Sequence, residues 1–147
     1  MTLIYKRTRR RRGSAVLDMA LVFPVLIMLA FGVVEYGYYF YVKHNAQAAS
    51  REGARAAVVA GAKSTDVAAA VANVMSATGL DKTGYTVTIT DTAGTSINLS
   101  TVTSGTPIRV LVQFNWGAVG VHPLPEILGG MSPTRPVKGA TVMRREG

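Results

Sequence analysis

The chain has 147 residues, a formal net charge of +8, no cysteine and a mean hydropathy of +0.24. That length holds one domain of modest core beside a membrane helix, and the absence of thiols excludes a disulfide framework or a thiolate metal site. Removing the six basic residues before Gly13 leaves 10 Lys and Arg against 8 Asp and Glu, too even a balance for a broad nucleic-acid face.

Those six residues, Lys6, Arg7, Arg9, Arg10, Arg11 and Arg12, run into Gly13 and then an apolar segment from Ser14 to Val34. A cationic run ahead of about 20 apolar residues is a membrane-insertion signal, and Lys and Arg hold their side in the cytoplasm. Everything after about Val42 is then expected outside. The run needs no nucleic acid to explain it, since topology and anionic lipid suffice. The only charge inside the segment is Asp18. A carboxylate at that depth is costly and is usually retained for a function. A cleaved secretory signal has an apolar core of only about 7–15 residues. Here apolar character persists to Tyr36, Tyr38, Tyr39, Phe40 and Tyr41, broken only by Glu35. A twin-arginine address leaves this long run unexplained. An uncleaved signal anchor accounts for everything except Gly13 and Asp18. The tyrosines suit either anchor, because amphipathic rings settle at the membrane interface.

No strong breaker follows Ser14 until Gly61, so one helix is predicted over 14–60, about 70 Å at about 1.5 Å per residue. Residues 14–42 are assigned to the span and 43–62 to a stem projecting from the membrane. Pro24 removes one backbone bond and predicts a kink. Gly32 and Gly37 permit close approach of neighbouring helices. Glu35 lies about 26 Å along the helix from Asp18, which puts it near the outer headgroups. There it is either a solvated carboxylate or the partner of a cation on a neighbouring subunit. Arg51 and Arg55 stand one turn apart around Glu52. They form either a solvated intrahelical pair or a means of docking the stem on the outer domain. Ala46, Ala49, Gly53, Ala57 and Ala60 form a small-residue stripe, a seat for the chain's own sheet or second helix, or for another subunit.

Residues 63–147 are expected to form the outer domain. Ser64-Thr65-Asp66 caps a second short helix, with Val67, Ala70, Val71, Val74, Ala77 and Thr78 on one face and Gly79 as its stop. From Gly84 the period changes to two. Strands are predicted at Tyr85–Thr90, Ile97–Thr103, Ile108–Trp116 and about 136–145, with the third one central. The result is an α+β fold: a long N-terminal helix, a short second helix and an antiparallel sheet of about four strands.

Convergent chemistry is not legible. His44 and His122 lack neighbours at ligand spacing. Asp66 reads as a cap, and Asp81 and Asp91 read as turn residues. Asp81-Lys-Thr-Gly84 lacks the alternating oxygens of a calcium loop. No catalytic residue, metal, cofactor, small-molecule substrate or nucleic acid is expected.

Gly13-Ser-Ala-Val-Leu-Asp18-Met-Ala-Leu-Val-Phe-Pro24, then Phe31-Gly-Val-Val-Glu35-Tyr-Gly37 and Arg51-Glu-Gly-Ala-Arg55, resemble the TadE-like minor pilins or pseudopilins of tight-adherence (Flp, type IVb) pilus systems. The likeness covers residues 9–60. It extends weakly to Gly139-Ala-Thr-Val-Met-Arg-Arg-Glu146, which resembles the family's closing strand. Asp18 departs from the family's usual glutamate. The resemblance implies a prepilin peptidase that cuts between Gly13 and Ser14, making Asp18 the fifth residue of the mature chain. It also implies a single-pass inner-membrane location with the domain periplasmic, or incorporated in the pilus. The implied partners are the major Flp-type pilin, other minor pilins and the inner-membrane assembly platform. The alternative is an uncleaved single-pass envelope protein whose outer domain binds a partner.

Overall fold

The structure, a computed structural model, describes residues 12–146, and side chains from residue 15. Lys6, Arg7, Arg9, Arg10 and Arg11 lie outside the described residues, and Arg12, Gly13 and Ser14 are described in backbone only.

Helix α1 (Arg12–Val58) runs 47 residues through Pro24 without interruption. Its composition explains this: the interior has no paired breakers, and one missing bond at Pro24 is carried by the turns on either side. Gly61, with φ 79°, turns the chain back. Helix α2 (Ser64–Ala77) then packs along the far half of α1. Its start is fixed by Asp66, whose carboxylate accepts the Lys63 N–H at 2.9 Å. Asp66 therefore caps as expected, although the capped residue is Lys63. Val67, Val71 and Met75 are its buried face. Gly79 ends it in the left-handed region, φ 71°, while the Leu80 N–H reaches back to Met75 O.

The sheet has three antiparallel strands, β1 (Thr86–Thr90), β2 (Pro107–Asn115) and β3 (Pro136–Arg144), with β2 central. Ile108, Val110, Val112 and Phe114 of β2 are buried, a clean period of two facing the helices. Val87 pairs with Val112 and Ile89 with Val110 on the same face. α1 lies across β2 and β3, so both helices cover one side of the sheet.

The fourth predicted strand is absent. Ile97–Thr103 contributes only a single bridge, Thr90 with Ser96. Asn98 diverts it: its Oδ1 accepts both the N–H and the hydroxyl of Ser100, and its carbonyl accepts the Thr101 N–H. These local bonds compete with a ladder and favour a turn. Leu99 still buries its side chain under the turn, so the apolar alternation was real although the strand was not.

Candidate functional site

Three zones of α1 differ in what surrounds them. In the first, every residue from Ala15 to Phe31 is exposed, including Val16, Leu17, Leu21, Leu26 and Leu29. The segment is long and apolar enough to cross a membrane, and none of its most apolar window is buried by the chain itself. Asp18 is exposed within it. So many bare aliphatic side chains require lipid or other helices around them.

The second zone is the seat of the outer domain. Ala46, Ala49, Gly53 and Ala57 are buried there, and Ala60 is exposed. The small-residue stripe thus serves the chain's own sheet and second helix. At Gly53 an added Cβ would lie 2.7 Å from Val71 Cγ2 and 3.1 Å from Val110 Cγ1, so α1, α2 and β2 meet at a point that admits no side chain. At Gly139 an added Cβ would collide with the carbonyl of Ala46, so β3 presses backbone to backbone on α1. Gln47 completes the junction. Its Nε2 donates to Ala140 O at 2.8 Å and its Oε1 accepts the Ala140 N–H at 3.2 Å. A side-chain amide here does for an edge strand what a neighbouring peptide would do. Ser50 Oγ and Thr141 Oγ1 lie 2.8 Å apart beside it. At the helix end, Glu146 N–H donates to Val58 O at 3.0 Å and Arg145 Nη1 to Ala57 O at 3.4 Å, meeting carbonyls that lack intrahelical partners.

Arg51 and Arg55 take no part in this seat. Both are exposed, and Arg55 Nη1 stands 3.6 Å from Glu52 Oε1, three residues earlier. The docking role considered for them is corrected: they lie on the solvent side of α1, and the seat is built by Gln47, Ser50 and glycines. Such an exposed pair contributes only a few tenths of a kcal/mol, roughly.

The third zone is Glu35, where the structure differs most from the expectation of a solvated carboxylate or a partner for a neighbour's cation. Glu35 is 1 % exposed. Its Oε1 accepts the Met131 N–H at 2.7 Å and its Oε2 the Leu124 N–H at 3.2 Å. One carboxylate thereby pins both ends of the segment 124–131, within the connection between β2 and β3, to α1. Between those ends the Gly130 N–H closes on Pro125 O at 3.1 Å around a 3-10 turn, Glu126–Leu128. Gly130 is required there, because a Cβ would collide with Leu124 O.

The aromatic cluster assigned to the membrane interface is divided by the same loop. Tyr36, Phe40 and Tyr41 are exposed, whereas Tyr38 and Tyr39 pack against Trp116, which is fully buried. Tyr39 and Trp116 meet edge to face, with centroids 5.4 Å apart. The Arg135 guanidinium covers the Tyr39 ring at 5.2 Å. His122 stacks edge-on against Trp116 and is otherwise exposed, as is His44. Gly32 faces Leu124, and Gly37 has open space on its side. Neither glycine is used for a close contact within the chain.

The family model for TadE-like protein matches residues 13–55. No curated protein and no solved structure matches the chain. The matched segment begins at Gly13, contains Asp18, Glu35, Gln47 and Gly53, and ends at Arg55, so it takes in the exposed span, the loop latch on α1 and the helix side of the seat. Over residues 13–55, the apolar helix and stem on which its outer domain is built, the chain is similar to TadE-like protein.

Proposed function

We propose that this chain is a minor pilin or pseudopilin of a tight-adherence pilus system. A prepilin peptidase cuts it between Gly13 and Ser14, the membrane holds it as a reservoir, and the inner-membrane assembly platform extracts it. It then packs with the major Flp-type pilin and other minor pilins to prime, cap or modulate the filament. The observation that carries this reading is the exposed apolar half of α1, with its single acid, inside a TadE-like segment. A lipid-facing helix that later joins a helical filament keeps the same bare surface and changes only its neighbours.

Asp18 sets the register in this scheme. Among packed apolar helices a lone carboxylate is strongly penalised, while one beside an ammonium is tolerated when the geometry is good. The α-amino group of Ser14, its own or a neighbour's, is the ammonium that cleavage creates. A domain of this size suits a minor subunit that modifies an assembly. Mass spectrometry of the N-terminus from native membranes tests the reading. A mature chain starting at Ser14 is expected, and an intact leader in cells containing the peptidase would leave an uncleaved anchor instead.

A further inference from the structure

We propose that the loop between β2 and β3 is a second membrane contact: a wedge that lays Ile127 and Leu128 into the outer face of the bilayer that α1 crosses. The observations are positional. Glu35 holds the loop at Leu124 and Met131, and Leu124 reaches down to within 3.9 Å of the space beside Gly32. Gly32 belongs to the apolar span. The loop is therefore fixed level with the outer end of the membrane segment, and its apex lies only a few residues from the latch.

At that apex Ile127 is 91 % exposed and Leu128 46 % exposed, far more than a soluble turn requires of two adjacent aliphatic residues. On α1, next to the Gly32 and Glu35 positions that the loop meets, Val33, Val34 and Tyr36 are exposed as well. Single exposed apolar residues are ordinary, but an apolar apex held beside a membrane helix is not. The surroundings suit the headgroup layer. Tyr41 and Lys43 are exposed on α1 shortly after Glu35, and the exposed Arg135 lies over Tyr39. Amphipathic rings and long cationic side chains are the groups that settle at this depth. Apolar side chains at an interface reach roughly 5–10 Å into the headgroup and acyl boundary. The occupant is lipid, and the loop sets how far the domain stands from the membrane. This inference rests on α1 crossing the bilayer, not on cleavage or filament assembly.

The chain has no cysteine, so single-cysteine variants report one position each. The full chain is placed in phospholipid vesicles at two protein-to-lipid ratios, with a bimane fluorophore on Ile127→Cys, on Leu26→Cys in the span, or on Asn98→Cys far from the membrane. Lipids carrying a nitroxide high on the acyl chain and an aqueous iodide quencher are compared. Ile127→Cys is expected to be quenched several-fold more by the nitroxide lipid than Asn98→Cys, and shielded from iodide, equally at both ratios. Adding Glu35→Ala to Ile127→Cys is expected to weaken the lipid quenching. Iodide quenching of Ile127→Cys equal to that of Asn98→Cys, with Leu26→Cys still lipid-quenched, overturns the wedge alone. Shielding that appears only at the high protein ratio overturns it in favour of a second copy. Loss of lipid quenching at Leu26→Cys overturns the membrane reading itself.

Discussion

Glu35→Gln preserves size and turns one acceptor oxygen into a donor, leaving a buried N–H at Leu124 or Met131 without a partner. Loss of one such bond is expected to cost about 1–3 kcal/mol. The measurement is amide hydrogen exchange on the full chain in detergent. Exchange at Leu124 and Met131 should rise while that of Val110 and Val112 in β2 stays slow. Uniform acceleration across the sheet would show that Glu35 supports the whole domain and not the loop. Asp18 is the second residue where charge and size can be separated. Asp18→Asn should leave cleavage after Gly13 largely intact and reduce crosslinking to partner pilins, because an amide cannot compensate an ammonium in a low-dielectric core. Asp18→Glu should match the native chain in both, since the longer carboxylate still reaches the amine. Normal crosslinking by Asp18→Asn would reduce Asp18 to a protease-recognition residue.

Between elements, the tightest constraint is the absence of side chains. Gly139→Ala places a methyl against the carbonyl of Ala46, and neither backbone can yield without lifting β3 from α1. Overpacking of this kind costs about 1–3 kcal/mol, occasionally more. Gly53→Ala meets Val71 Cγ2 and Val110 Cγ1, side-chain atoms that can shift, so its loss should be the smaller of the two. Chemical denaturation of the full chain in detergent ranks them, and equal stability of Gly139→Ala and the native chain would remove backbone contact as the basis of the seat. Gln47 and Glu35 illustrate why sequence reading found the elements and not the junctions. Helices, turns and the buried face of β2 repeat within a few residues, so local periodicity exposes them. The partners of Glu35 stand 89 and 96 positions away, and that of Gln47 93. Glu35 read as a solvated carboxylate or a neighbour's ion-pair partner, because nothing nearby in sequence names the amides that receive it. The strand expected at Ile97–Thr103 failed for the opposite reason: the alternation was visible, and the Asn98 turn chemistry outweighed it.

For the whole molecule, the cationic leader should hold residue 1 inside and export residues 43–147. A reporter enzyme active only outside the cytoplasm, fused after Gly147, should be active, and activity confined to a cytoplasmic reporter there would reverse the orientation. Gly13→Val should block maturation, since a branched side chain cannot occupy a subsite shaped for glycine, and the leader should then persist on the protein by mass spectrometry. The span was legible because about 20 apolar residues behind six cations have few other readings. The packing of α1 and α2 on one face of the sheet was legible only as a class, α+β, because the choice of which helix face meets which strand is made by Gly53, Gly139 and Gln47 together.

The uninterrupted course of α1 has a mechanical corollary. Membrane anchor and domain core share one rod, so a pull on the lipid-embedded end is transmitted along covalent helix, continuous through Gly32 and Gly37, to the Gln47–Ala140 and Glu35–loop attachments with no irregular chain between. Tension along the axis loads those lateral bonds in shear, many at once, rather than peeling them singly. The most compliant point lies on the membrane side, at Pro24, where one backbone bond is missing. Withdrawal from the bilayer would therefore stretch the span before it disturbed the sheet, and the domain would travel as a rigid load.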